Sequence, residues 1–221
     1  MSIPELLVIT KDIDPEKKKE IFFHKANYNW PITEDKSQKF HIIIIGHPII
    51  NNEINSKEVI EYIKINNSLD NDYISKIDGE FLIIYFDILN NSLNVINDRF
   101  ASIPIFYFVY DNNIFISQFY YHLAKKINEY GLFKINKTAI IQFLTLQRLF
   151  GDITYDHISK YLPAASKLKF QNNKVIITKF WEPNFKKNKN SLKKNALELS
   201  NLFKESIKIK KSNIDSNISL F

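Results

Sequence analysis

Residues 40–46 read FHIIIIG, an apolar run, Phe40–Ile45, closed by Gly46. Isoleucine on successive positions leaves no polar phase for a solvent-facing side, so the run is expected of a strand buried on both faces. Burial on both faces restricts the chain to folds in which a sheet is covered on each side. The 221 residues fit one globular domain with a small extension. An aromatic content of 14% excludes disorder for the bulk of the chain.

Around that run the reading is strands with intervening helices. Leu6–Thr10 is a short apolar strand, and residues 15–39 read as polar and irregular. Asn55 and Glu58 stand at capping-box spacing before Val59, Ile60 and Ile63, which predicts a helix; Asp72–Ile77 is a short second one. From Gly79 the pattern becomes a meander of Glu80–Asp87, Leu93–Asp98, Ile105–Tyr110 and Asn113–Ser117. Asn90-Asn91 and Asp111-Asn112-Asn113 supply its turns. Gln118–Asn128 and Lys137–Arg148 read as helices, and Lys167–Gln171 with Lys174–Trp181 as a hairpin about Asn172-Asn173. Beyond the polar stretch Glu182–Asn190, residues Leu192, Ala196, Leu199, Phe203 and Ile207 trace a helical stripe.

Composition excludes several chemistries. With no cysteine in the sequence there is no disulfide framework, thiolate nucleophile or cysteine-ligated metal. Thirty basic against 24 acidic residues give a net charge of +6, but only Arg99 and Arg148 are arginines. Nucleic-acid binders favour arginine for bidentate contacts, so scattered lysines read as solvated faces and no nucleic-acid partner is expected. No apolar run approaches the roughly 20 residues of a membrane helix, and the start lacks a signal-peptide pattern; a cytoplasmic location without membrane contact is expected. His24, His41, His47, His122 and His157 show no metal-ligand spacing. Asp87, Asp98 and Asp152 are isolated acids. Tyr120-Tyr121 and Phe106–Phe108 read as core rather than as a stacking surface.

Five segments in order carry a resemblance: DGEFLIIYFD at 78–87, DRFASIPIFY at 98–107, FIS at 115–117, YLPAA at 161–165 and FWEP at 180–183. Together they resemble the N-terminal, glutamine-amidotransferase-like domain of the asparagine synthetase family. Its pattern runs G-x-F, D-R-x-G-x-x-P-L-Y-Y, F-A-S, L-P-P-G and Y-W. The resemblance implies an α+β fold: the four-layer αββα sandwich of two antiparallel sheets found in N-terminal-nucleophile (Ntn) hydrolases, followed by a linker and a C-terminal helix. It implies an amidotransferase-like domain over residues 1–183, a linker over 184–190, and, over 191–221, the helix and truncated first strand of a synthetase domain. Within the motifs, Asp98-Arg99 reads as a charge pair fixing the chain's exit from a strand. Pro104 presets the backbone before the next strand, and Gly79 eases a turn.

The same resemblance shows which catalytic parts differ. Glutamine-hydrolysing members begin Met-Cys-Gly, and the cysteine left N-terminal attacks the glutamine amide. Here Ser2 stands at that nucleophile position. The Asn-Gly pair of the family's glutamine site corresponds to Ile45-Gly46, which leaves Gly46 as a vestigial substrate-binding position. Ser56 falls near the position of an aspartate that grips the α-amino group. The implied function is the N-terminal portion of an ATP-dependent, amide-bond-forming ligase related to asparagine biosynthesis, with a degenerate glutaminase pocket. ATP and Mg are expected only in a synthetase domain, partnered in cis or in trans, because no S-G-G-x-D-S loop occurs among the 4 glycines. A homodimer is a further implied partner. The alternative is a stand-alone, non-catalytic module that binds a separate synthetase subunit or a peptide substrate. Ser216–Phe221 reads as an orphan strand.

Overall fold

A computed structural model describes residues 5–12, 19–26, 30–185 and 190–213. Ser2, the linker residues 186–189 and the expected orphan strand 216–221 lie outside the described residues. In chain order the strands are β1 (Glu5–Asp12), β2 (Lys19–Ala26), β3 (Ile32–Lys36), β4 (Phe40–Ile50) and β5 (Glu53–Ile54). After α1 (Ser56–Asn66) and α2 (Asn71–Ile74) come β6 (Asp78–Asp87), β7 (Ser92–Asn97), β8 (Phe106–Tyr110) and β9 (Asn113–Ser117). Helices α3 (Tyr120–Glu129) and α4 (Lys137–Leu146) precede β10 (Lys160–Tyr161), β11 (Ser166–Gln171), β12 (Lys174–Lys179) and α5 (Leu192–Asn213).

The strands form two antiparallel sheets. One has the order β10-β8-β9-β1-β2; the other runs β12-β11-β7-β6-β4-β3, with β5 paired to β4. Side chains explain their stacking. Along β4, Ile43 and Ile45 point one way and join Leu82, Ile84, Val95 and Phe170 against Tyr107, Ile114 and Ile116 of the other sheet. Ile42 and Ile44 point the other way, onto Val59, Ile60 and Ile63 of α1 and Ile74 of α2. Behind the first sheet, Phe108 and Phe115 pack on Leu123 and Ile127 of α3. The molecule is therefore α+β, a four-layer αββα sandwich. Each isoleucine of β4 between two layers is fully buried, and such burial is worth about 1.5–3 kcal/mol per side chain.

Local chemistry accounts for most boundaries. The Glu58 N–H donates to Asn55 Oδ1 (3.0 Å) and Asn55 Nδ2 donates to Glu58 Oε2 (3.1 Å), closing the expected capping box. Hairpin turns at Asp111-Asn112 and Asn172-Asn173 hold both central residues at positive φ, as does Asn51-Asn52 between β4 and β5.

Four expectations are corrected. Residues 15–39 are not irregular: they contain β2 and β3. β3 is an edge strand (ITEDK) with one half-solvated face, so its backbone pairing to β4 holds it without an apolar run. The expected meander is split, β6 and β7 lying in one sheet and β8 and β9 in the other. Gly46 does not close a strand, because β4 continues through it to Ile50. α4 stops at Leu146 rather than Arg148, where Gln147 turns left-handed and donates its N–H to the Phe143 carbonyl (2.8 Å).

Candidate functional site

Four of the five resembling segments, all but 115–117, come together around Asp98, just past the end of β7. Its carboxylate is buried and accepts the N–H groups of Phe81 (3.3 Å), Phe100 (2.8 Å) and Ser102 (3.1 Å), together with the Ser102 hydroxyl (3.2 Å). Its backbone carbonyl accepts from Ala165 N–H (3.0 Å), and the Ala165 carbonyl accepts from Phe180 N–H (2.9 Å). Next door, Asn97 Nδ2 donates to the Pro163 carbonyl (2.8 Å) and Asn97 Oδ1 accepts from Ser166 N–H (2.9 Å). Arg99 does not pair with Asp98: it pairs with Asp78, donates to the Ser75 carbonyl (2.6 Å) and lies over the Trp181 ring. Four segments far apart in sequence are thereby joined through one carboxylate and one guanidinium.

Two alanines in this knot have unusual backbones. Ala101 and Ala165 sit at φ +51° and +55°. An L-residue there costs roughly 1–2 kcal/mol relative to right-handed backbone. Neighbouring hydrogen bonds hold both alanines in place: Ala101 N–H donates to the Asp98 carbonyl (3.2 Å), and Ala165 is bonded on both sides.

Gly46 lies on β4 opposite Phe81, with His47 opposite Glu80 and Pro48 opposite Gly79. Both glycines have φ +93°; a Cβ on Gly46 would fall 2.2 Å from the Glu80 carbonyl oxygen, and one on Gly79 2.1 Å from that of His47. Close approach of two backbones is reason enough for glycine at each position. Beside them is a cavity of about 100 Å³ lined by Trp30, His47, Ile49, Ile54, Gly79, Glu80 and Lys210. Ligand pockets usually hold about 300–1,000 Å³. Lys210 of α5 reaches across to Glu80 (Nζ to Oε1, 3.0 Å), and the Trp30 and His47 rings stand 6.0 Å apart. Burial, reinforced by the nearby Lys210 ammonium, holds the His47 imidazole below the usual histidine value against the opposing pull of Glu80. At neutral pH this corner therefore contains a neutral imidazole beside a paired carboxylate and ammonium.

The other sequence candidates are dispersed. Ser56 is the first residue of α1. Asp87 and Asp98 flank opposite ends of β7, and Asp87 accepts from the Asn90 N–H (3.0 Å) and side-chain amide (2.6 Å). Asp152 pairs with Lys160 (2.6 Å), which draws its carboxyl below the ordinary range. Tyr107 and Phe108 are core, as expected, but Tyr121 is 69% exposed. Phe106 and Tyr120 instead line a 390 Å³ cavity with Arg148, Phe150, Tyr155 and Tyr161. His41 contacts Glu34 (2.7 Å). Among the described residues no three His, Asp or Glu side chains converge as metal ligands, and no helix is long and apolar enough to cross a membrane. The partners of His47 were not legible in the sequence, since Lys210 lies 130 residues from Glu80.

No protein-family model matches the chain, and no curated protein matches it. Among solved structures the chain is similar to the glutamine phosphoribosylpyrophosphate amidotransferase of B. subtilis complexed with ADP and GMP. It is similar also to an allosteric regulatory enzyme of purine biosynthesis. In each case identity is 5%, the TM-score is 0.38, and the match covers 81% of this chain and 43% of that chain. The chain thus spans less than half the length of those proteins. Similarity at this level transfers neither a residue role nor an activity.

Proposed function

We propose that this chain is the amidotransferase-like portion of an asparagine-synthetase-like, ATP-dependent, amide-bond-forming ligase whose glutamine pocket is degenerate. The observation that carries this reading is the left-handed backbone of Ala101 and Ala165 at two glycine positions of the family pattern. Alanine has no intrinsic reason to adopt that conformation. Its persistence here supports a turn geometry retained as architecture after its glycines were replaced.

Degeneracy is supported by the corner at Gly46. A buried zwitterionic head group needs hydrogen-bonded partners, each worth roughly 1–3 kcal/mol. The small cavity there offers a hydrophobic wall and an ion pair that is already closed. The glycines at 46, 79, 131 and 151 form no phosphate loop, so ATP and Mg are assigned to a synthetase domain acting in cis or in trans. Ser2 stands at the family's nucleophile position, and its amine would be free only if Met1 were removed.

Incubation of the purified chain with glutamine is expected to release no glutamate above a buffer blank. Glutaminase activity would overturn the degenerate pocket and bring Ser2 forward. ATP–pyrophosphate exchange by the chain alone would overturn the assignment of ATP chemistry to a partner.

A second reading, a stand-alone module that pairs with a separate synthetase subunit or a peptide, is favoured by α4. There Ile141 and Leu144 are 63% and 74% exposed, and Phe143 and Leu146 are exposed beside them. The neighbouring DNA separates the two readings: an S-G-G-x-D-S coding frame immediately downstream supports the ligase portion, and its absence supports the module.

A further inference from the structure

The outer face of the second sheet changes character along its length. Under α1 and α2 it is apolar: Ile42, Ile44, Ile83 and Ile96. Farther along, the same face carries Tyr85 and Asp87 on β6, Ser92 and Asn94 on β7, and Lys167, Lys169 and Gln171 on β11. The register sets Asn94 between Tyr85 and Lys169, and Ser92 beside Asp87. With Asn67 and Ser68 at its rim, this end of the sheet forms a cavity of about 310 Å³. It lies at the opposite end of β6 from Gly79 and shares no residue with the corner described above.

A solvated sheet face would expose such side chains, yet Asp87, Ser92 and Asn94 are only 5%, 4% and 3% exposed. Buried polar groups are costly unless paired, and here the pairing is one-sided. Asp87 accepts one bond from Asn90 on each carboxylate oxygen, and each oxygen keeps a lone pair for a further donor. Asn94 Nδ2 donates to Ser92 Oγ (3.2 Å), Leu69 N–H to the Tyr85 hydroxyl oxygen (3.4 Å), and Lys167 Nζ to the Leu69 carbonyl (2.7 Å). Among the described residues, the Lys169 ammonium and the hydroxyl protons of Tyr85 and Ser92 have no acceptor, and Lys167 has N–H groups to spare. Gln171 donates to the Asn90 carbonyl (3.0 Å), which leaves its own carbonyl oxygen as an acceptor.

We propose that this cavity binds a small, multiply charged oxyanion that also carries a hydroxyl: a phosphate ester of a polyol or a hydroxylated polycarboxylic acid. Lys167 and Lys169, with the Tyr85 and Ser92 hydroxyls, hold the anionic group through charge-assisted hydrogen bonds. Asp87 and Gln171 accept from the ligand's hydroxyl. The surroundings fit this use. Burial first, and Lys169 second, lower the Lys167 ammonium from its ordinary value, with Asp70 opposing, so an incoming anion relieves a repulsion already present. Burial pushes the Tyr85 phenol up to about 12, which keeps it a proton donor.

The test is an amide-resolved NMR titration of the full chain with inorganic phosphate, glycerol 3-phosphate and citrate, with sodium chloride holding ionic strength constant. Saturable shifts are expected at residues 67–69, 85–94 and 167–171. Tighter binding of glycerol 3-phosphate than of phosphate identifies the ester, and tighter binding of citrate the polycarboxylic acid. Lys169→Met should weaken binding at least about tenfold, Lys169→Gln similarly, and a substitution of the exposed Lys125 of α3, Lys125→Met, not at all. Absent or unsaturable shifts, shifts confined to the lysines of α5, or unchanged affinity in both Lys169 variants would overturn the proposal. The mapping on the unsubstituted chain decides the case even where a variant fails to fold.

Discussion

Ala101 and Ala165 hold left-handed backbone that glycine adopts without strain. Replacing either by glycine removes about 1–2 kcal/mol of steric cost and restores roughly 0.5–1 kcal/mol of unfolded-state entropy. Ala101→Gly and Ala165→Gly are therefore each expected to stabilise the chain by about 0.5–1 kcal/mol, read as a raised urea midpoint at constant m-value. Histidine 47 contributes a pH dependence of definite sign. Its folded-state value lies below that of an ordinary histidine, so the unfolded chain binds the extra proton first. Stability is complete above the unfolded value and declines as pH falls from there toward the folded value. His47→Gln should flatten urea midpoints measured between pH 7 and 5, and the His47 ring resonance should titrate below 6.5.

At the scale of elements, the pairing of β4 with β6 depends on two glycines that let the strands approach. Gly46→Ala sets a Cβ 2.2 Å from a backbone oxygen that no rotamer change can move. A loss of more than about 2 kcal/mol is expected, detectable by chemical denaturation with no ligand present. A Gly46 that served only a vestigial substrate position would tolerate the change. α4 and α5 contrast with β4. They carry apolar residues that the sandwich leaves exposed, among them Leu192, Leu199 and Phe203 on the stripe of α5. In sequence these stripes look the same as the face of α1 that is buried. Periodicity reports that a helix has an apolar face; it does not report whether anything in the chain covers it.

For the molecule as a whole, α5 stands apart from the layered core. Its C-terminal end is tied to the sheet through Lys210 and Glu80, a pair with both side chains more than 40% exposed, and such pairs contribute about 0–1 kcal/mol. Removal of residues 190–221 is expected to lower stability by no more than about 1–2 kcal/mol and to leave a cooperative transition, measured by circular dichroism on thermal or urea unfolding. Loss of folding on truncation would assign α5 to the domain's own core.

By itself the sequence determined the apolar periods of β4 and α1, the asparagine turns, the capping box and the order of the resembling motifs, but not that four of them meet around Asp98. These depend on near neighbours or on residue types that only a few backbone conformations accept. The sheet switch between β7 and β8, the edge strand β3, the closure of the Gly46 corner by Lys210, and the polar cavity between β6, β7 and β11 were decided by the tertiary structure. Each joins residues that are distant in sequence and individually unremarkable, and the free energy of such a contact exists only once the chain has brought both partners out of water together.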